Sequence, residues 1–211
     1  MVEDTEQVLT DFFKTTSEEL MKFIQEISID PLFAARDLII ASEKKGGRVH
    51  VTGIGKPGHV AVYIASLLSS TGTPAYFLDG TEAVHGSSGQ VRAGDVVVSI
   101  SNSGETEELK KTIQTLKNNG AKIISVTGGE SSWLSQNSDC FLFAGVEKEG
   151  DSLNKPPRAS ILAELLILQS LSVLLQEEKG LTNQEYVKWH PGGALGKSIL
   201  EQQIGGIRNE A

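Results

Sequence analysis

Several things that would tie a chain to the cell exterior, a membrane or a nucleic acid are scarce in this sequence. Cys140 is the single cysteine in 211 residues, so an intrachain disulfide framework is excluded. Basic residues are the minority, 19 Lys and Arg against 27 Asp and Glu, and the formal net charge is −8. That balance argues against a general nucleic-acid or anionic-membrane surface and confines any anion site to a local patch. The longest apolar stretch, Ile161 to Leu175, is interrupted by Glu164 and Gln169; it is expected to be a buried helix, not a membrane span. The opening Met-Val-Glu-Asp lacks the basic segment of a secretory signal, so a cytoplasmic location is expected. No Pro-, Gly- or Ser-rich linker, repeat or low-complexity run divides the chain. A single compact unit that buries about 70% of its unfolded surface is the expectation.

What is present alternates between two periods. Val8, Leu9, Phe12, Phe13, Leu20, Phe23, Ile24 and Ile27 recur at helical spacing, and Asp30-Pro31 opens a second helix that stops at Gly46-Gly47. Residues 1–45 thus form an N-terminal helical pair, and 46–211 the domain proper. The apolar faces of the pair, including Phe12, Phe13, Phe23 and Ile24, exceed what one domain needs, which predicts packing on partner subunits. Short apolar runs at Arg48–Thr52, Ala75–Leu78, Asp95–Ile100, Lys122–Val126 and Asp139–Phe143 read as strands, separated mostly by helix-patterned segments. Gly-rich turns follow the first, third and fourth. This pattern specifies an α/β fold with a doubly wound five-stranded parallel sheet, closed by a long C-terminal helix from Arg158 to Lys179.

The segment Ser101-Asn102-Ser103-Gly104-Glu105-Thr106 joins the third strand to a helix-patterned stretch that lasts to Asn119. Ligands of parallel sheets bind at the carboxyl ends of the strands. Three hydroxyls, a glycine and the free N–H groups of the next helix suit a dianionic phosphate. The same residues also satisfy a plain helix start, with Ser103 as cap and Glu105, Glu107 and Glu108 at the positive end of the dipole. Gly53-Ile54-Gly55 after the first strand invites a dinucleotide reading, but no acidic residue ends the second strand except Asp79, which Gly80 follows in a turn. What remains is a strand–turn–helix element that puts Lys56 at the same sheet edge; its alternative is a solvated turn lysine. Of the four histidines, His85 and His190 lie in glycine-rich loops, where functional groups concentrate. His50, inside the first strand, reads as core, and His59 as a helix-start residue. No spacing suits a metal site, so neither metal nor cofactor is expected.

From Gly46 to Ile199 the chain resembles the sugar isomerase (SIS) domain family, and within it the arabinose-5-phosphate isomerases. The resemblance rests on Gly53-Ile-Gly-Lys-x-Gly-His59, Ser70-Thr-Gly-Thr-Pro74, Glu82-Ala-x-His-Gly86, Ser101-Asn-Ser-Gly-Glu105 and His190-Pro-Gly-Gly-Ala-Leu-Gly196. It implies a flavodoxin-like five-stranded sheet, a phosphosugar held by Ser101, Asn102, Ser103 and Thr106, and aldose–ketose interconversion. Gly55, Ser160 and Arg158 are further candidates for the phosphate. A lysine, a glutamate and two histidines carry the family's chemistry, at positions that match Lys56, Glu105, His85 and His190. A homotetramer, or a homodimer, with active sites between subunits is also implied. Pro57 stands where relatives usually carry serine, and Arg158-Ala-Ser-Ile161 aligns with a hydroxyl-rich stretch of which only Ser160 survives. The C-terminal pair of cystathionine-β-synthase-type domains common in the family is expected to be missing. The alternatives are an isomerase of a hexulose or heptulose phosphate, or a non-catalytic phosphosugar-binding regulatory module.

Overall fold

The computed structural model describes residues 2–190 and Gly192. Helices α1 (Val2–Glu26) and α2 (Asp30–Glu43) precede β1 (Val49–Gly53), α3 (Lys56–Ser70) and β2 (Ala75–Asp79). Two 3₁₀ turns, Glu82–His85 and Ser87–Gln90, lead to β3 (Val96–Ile100) and α4 (Glu107–Asn118). Then come β4 (Lys122–Thr127), α5 (Trp133–Gln136), β5 (Cys140–Phe143), α6 (Ala159–Lys179) and α7 (Asn183–Trp189). The five strands are parallel in the order β2-β1-β3-β4-β5. Each strand forms where the sequence pattern predicts it, with ends shifted by a residue.

Strand β3 is buried along its whole length because both faces of the sheet are covered. Val96, Val98 and Ile100 pack into the larger core under α2, α3 and α6, whereas Val97 joins Leu109, Ile113 and Leu116 of α4 in the smaller core opposite. That period of two explains why the run has apolar residues on both faces, with Ser99 its one polar member. Phe23 is part of the larger core at 2% exposure, which corrects its assignment to a surplus apolar face. Phe13 and Ile24 do remain exposed on α1.

Helix α6 is long and apolar enough to cross a membrane by length and composition, but half of that stretch is buried inside the fold. It runs alongside α3. The Gln169 amide donates to the Tyr63 hydroxyl (3.1 Å), Thr71 Oγ1 meets Ser172 Oγ (3.2 Å), and Lys179 Nζ donates to the Gly72 carbonyl (2.9 Å) and Thr73 Oγ1 (2.7 Å). α6 therefore starts at the carboxyl edge of the sheet and ends at the amino edge, as α3 does.

At that amino edge lies the polar node of the core. Asp95 accepts the N–H groups of Arg48 (2.9 Å) and Arg92 (2.8 Å) and meets His50 Nε2 at 3.2 Å. Burial holds the His50 pKa below its ordinary value although Asp95 pulls it up. His50 is a structural residue, as its place inside the strand predicts. Cys140 is buried, and burial pushes its thiol up to about 11, so it stays protonated and unreactive at neutral pH.

Candidate active site at the sheet's switch point

In the order β2-β1-β3-β4-β5 the connections from β1 and β3 run in opposite directions, so the crevice at the topological switch point opens between their carboxyl ends. Gly53 pairs with Ile100 in register, which sets the turn Gly53–Lys56 beside the loop 101–106.

The first turn exists because it is glycine-rich. Gly55 sits at φ +68, a conformation that side chains with a Cβ disfavour. A Cβ on Gly58 would lie 2.9 Å from the Gly53 carbonyl oxygen, so α3 can pack closely on β1. Gly53, Gly55 and Gly58 together have the three-glycine spacing of a dinucleotide turn. The acidic partner that reading needs is otherwise engaged: Asp79 Oδ1 accepts the N–H groups of Thr81 (2.8 Å) and Glu82 (3.0 Å) and builds the turn after β2.

Loop 101–106 is a self-bonded cradle. Ser101 Oγ accepts from the Gly104 N–H (3.2 Å) and meets Thr106 Oγ1 at 3.3 Å, while Ser103 Oγ accepts from the Glu105 N–H (3.2 Å). The Asn102 carbonyl accepts from Thr127 Oγ1 (3.0 Å) and the Gly128 N–H (3.0 Å), and the Gly104 carbonyl from the Leu134 N–H (3.1 Å). Thr106, not Ser103, is the N-cap of α4, and its side chain makes no cap bond. The first intrahelical bond is donated by Lys110, so the preceding N–H groups of the first turn are free for an anion. Gly104 has φ +67, and a Cβ there would collide with the Ser132 side chain. Gly104→Ala is expected to cost about 2–4 kcal/mol, combining backbone strain with the displacement of Ser132, and to weaken phosphate binding with it. Denaturant unfolding with phosphate titration checks this; an unchanged midpoint would contradict it.

Glu105 stands at the rim with its side chain 52% exposed. Lys110 Nζ reaches Oε2 at 2.7 Å, and the Trp133 N–H donates to Oε1 at 2.7 Å. The Lys110 bond foremost, then the Trp133 N–H, holds its pKa below the ordinary carboxylate range. It is an ionised carboxylate at neutral pH, able to accept a proton. Lys56 is exposed at the start of α3 and lines a 510 Å³ cavity with His59, Val60, Tyr63, Pro157, Ile161, Leu165 and Gln169. That groove is a seam between α3 and α6, with mainly apolar walls that include no residue of 101–106.

The other candidates separate. His85 ends the 3₁₀ turn after β2, exposed near the same edge. His190 follows α7, with its ring stacked on Tyr186 (4.0 Å between centroids) and Nδ1 2.8 Å from the Tyr186 carbonyl. The neighbouring Trp189 ring packs on Gly72 beyond the end of α3. Since α3 spans 15 residues, or about 22 Å at 1.5 Å per residue, His190 lies at the opposite end of the sheet from Lys56 in the same chain. The rest of its motif, except Gly192, falls outside the described residues.

Two phosphate candidates are not brought to the cradle. Ser160 is fully buried in the first turn of α6, its N–H donating to Glu149 Oε2 at 3.1 Å. Arg158 binds Asp151 Oδ2 through its guanidinium (2.7 Å), and its N–H donates to Glu149 Oε2 (2.6 Å). Glu149 occupies the N-terminus of α6 as an anionic cap and has taken the place that a phosphate would need there. Among the described residues, no group of three or more His, Cys, Asp and Glu side chains is arranged to hold a metal ion.

Comparison with known proteins bears on the family and the fold. The family model of the SIS domain matches residues 42–174. The chain belongs to the SIS domain family. Over 171 residues this SIS domain is 39% identical to the arabinose 5-phosphate isomerase KdsD of Pseudomonas aeruginosa, covering 81% of this chain and 52% of that protein. A probable arabinose 5-phosphate isomerase of Haemophilus influenzae is 37% identical over 194 residues, covering 92% and 56%. The chain thus spans about half the length of the curated relatives it matches. The Escherichia coli CFT073 protein c3406, solved in complex with arabinose 5-phosphate, superposes with a TM-score of 0.83 at 32% identity, covering 90% of this chain and 98% of that one. The Vibrio vulnificus NanR protein, solved with ManNAc-6P, shares the fold at a TM-score of 0.71 and 21% identity, over 89% of this chain and 68% of that one.

Proposed function

We propose that this SIS domain is a phosphosugar aldose–ketose isomerase that interconverts D-arabinose 5-phosphate and D-ribulose 5-phosphate through an enediol. The observation that carries the proposal is an open helix N-terminus lined by Ser101, Ser103 and Thr106 that holds an ionised carboxylate, Glu105, within the same loop, beside the turn that carries Lys56. The phosphate seats on the hydroxyls and the free N–H groups of α4, which fixes the sugar's far end and brings C1 and C2 toward Glu105 and Lys56.

Isomerisation needs one proton moved between carbons and others between oxygens. Glu105 accepts the C2 proton as the C2–H electron pair forms the C1=C2 double bond and the carbonyl oxygen O1 takes a proton, giving the enediol. Loss of the O2 proton and return of the carbon-bound proton to C1 gives the ketose. Lys56 stabilises the negative charge that develops on the carbonyl oxygen. His85 and His190 handle the oxygen-bound protons and ring opening.

The separation of His190 from Lys56 along α3 supports a site completed by a neighbouring subunit, in a homotetramer or homodimer. Val8, Leu9 and Phe13 on α1 provide an apolar face for such assembly. A cytoplasmic protein without metal or cofactor completes the reading.

The test is turnover of a panel of aldose and ketose phosphates, with and without chelator. Interconversion of arabinose 5-phosphate with ribulose 5-phosphate as the fastest reaction is expected. Faster turnover of a hexulose or heptulose phosphate would change the substrate, and tight binding without turnover would make the domain a sensor.

A further inference from the structure

The residue before the N-cap of a helix and the fourth residue within it commonly pack together as an apolar staple that sets the angle at which the chain enters. In α4 those positions are Glu105 and Lys110, and here the staple is an ion pair: Lys110 Nζ lies 2.7 Å from Glu105 Oε2. Lys110 is only 22% exposed and also reaches Glu107 Oε1 at 2.9 Å, so the ammonium is held from two sides. The other Glu105 oxygen takes the Trp133 N–H at 2.7 Å. Both carboxylate oxygens are therefore fixed, one from α4 and one from the start of α5.

We propose that Lys110 is the positioning residue of Glu105: it fixes the orientation of the carboxylate that accepts the proton in the isomerisation. The inference rests on the function proposed above. A flexible glutamate on a solvated rim would sample many rotamers, of which few point an oxygen lone pair at a bound sugar. Two charge-assisted or short bonds to opposite oxygens select one of them. They also make the carboxylate a weaker base, which stays unprotonated to lower pH; Lys110 is the leading cause of that lowering. The charged groups acting on Glu105 are Lys110 and, through it, Glu107 from α4, while α5 contributes a backbone N–H instead of a charge.

The test compares Lys110→Met and Lys110→Arg with the unaltered protein, using arabinose 5-phosphate turnover from pH 4 to 9 and the Glu105 carboxyl titration followed by carbon NMR. With Lys110→Met, kcat is expected to fall about tenfold with KM nearly unchanged, as for lost orientation of a reacting group. The acid limb of kcat/KM and the Glu105 titration should both move to higher pH. Lys110→Arg should restore both. An unmoved Glu105 titration in Lys110→Met overturns the positioning role. A titration that moves while the acid limb stays put shows instead that Glu105 is not the proton acceptor, which is a failure of the functional reading and leaves the coupling itself demonstrated.

Discussion

Glu105→Gln is expected to lower kcat for arabinose 5-phosphate by roughly 10²-fold or more, since a positioned acid/base group contributes about 10² to 10⁴. The fold should survive. Glu105 is half exposed and touches the rest of the chain through a lysine and one backbone N–H, and exposed ion pairs add little stability. Glutamine keeps an oxygen for the Trp133 N–H but cannot take a proton, and it gives up the charge that pairs with Lys110. The check is kcat of the purified variant beside its circular dichroism and unfolding midpoint. A near-normal kcat would reduce Glu105 to a residue that fixes the entry of α4.

A second large effect is expected in stability, and it concerns a group with no part in the proposed chemistry. Glu164 is fully buried on α6, and both of its carboxyl oxygens lack a partner among the described residues. Burial, with the Glu149 carboxylate nearby, raises its pKa from 4.5 to about 8. Between those values the unfolded chain loses this proton while the folded chain keeps it. The unfolded state is thus progressively favoured as pH rises from 4.5 to 8, and the stability present below 4.5 is lost. At 1.36 kcal/mol per pH unit the loss is about 3 kcal/mol at pH 7, or roughly 10 °C in Tm for a domain of this size. Glu164→Met removes the titration and fills the space with an apolar chain, so its advantage over the unaltered protein should grow steadily from pH 5 to 8. His50, buried neutral, works in the opposite direction at the acid end of that range, but it is common to both proteins and cancels in the difference. Parallel Tm profiles for the two proteins would contradict the assignment.

How much was legible in the sequence depended on how local each signal is. The strands and the switch-point turns could be read because Val96–Ile100 is apolar on both faces and Gly53, Gly55 and Gly104 punctuate the strand ends; those patterns are short-range. Helix α7 carries a readable signal, the Thr182 and Glu185 capping box, but its apolar face is too short to stand out by periodicity. Ser160 is a phosphate candidate through the family resemblance; that Glu149, nine residues ahead of Arg158, folds back to take the N–H groups of Arg158 and Ser160 at the start of α6 is a contact no local pattern gives. The surrounding apolar run signals that Glu164 lies in a buried helix, yet the missing partner appears only in three dimensions. The Lys110 contact depends on the turn geometry between Gly104 and Glu107, which spacing by itself does not give. The place of His190 follows from α6 and α7 carrying the chain to the amino edge, a property of topology alone.

The most direct measurement is a crystal structure of the Glu105→Gln protein with arabinose 5-phosphate bound. It should show the phosphate within hydrogen-bond distance of the Ser101, Ser103 and Thr106 hydroxyls and the first-turn N–H groups of α4, with C2 facing residue 105 and His190 of a neighbouring subunit near the sugar oxygens. A sugar lodged in the groove between α3 and α6, or a phosphate bound by Arg158 away from residues 101–106, would contradict the assignment of the switch-point crevice as the active site.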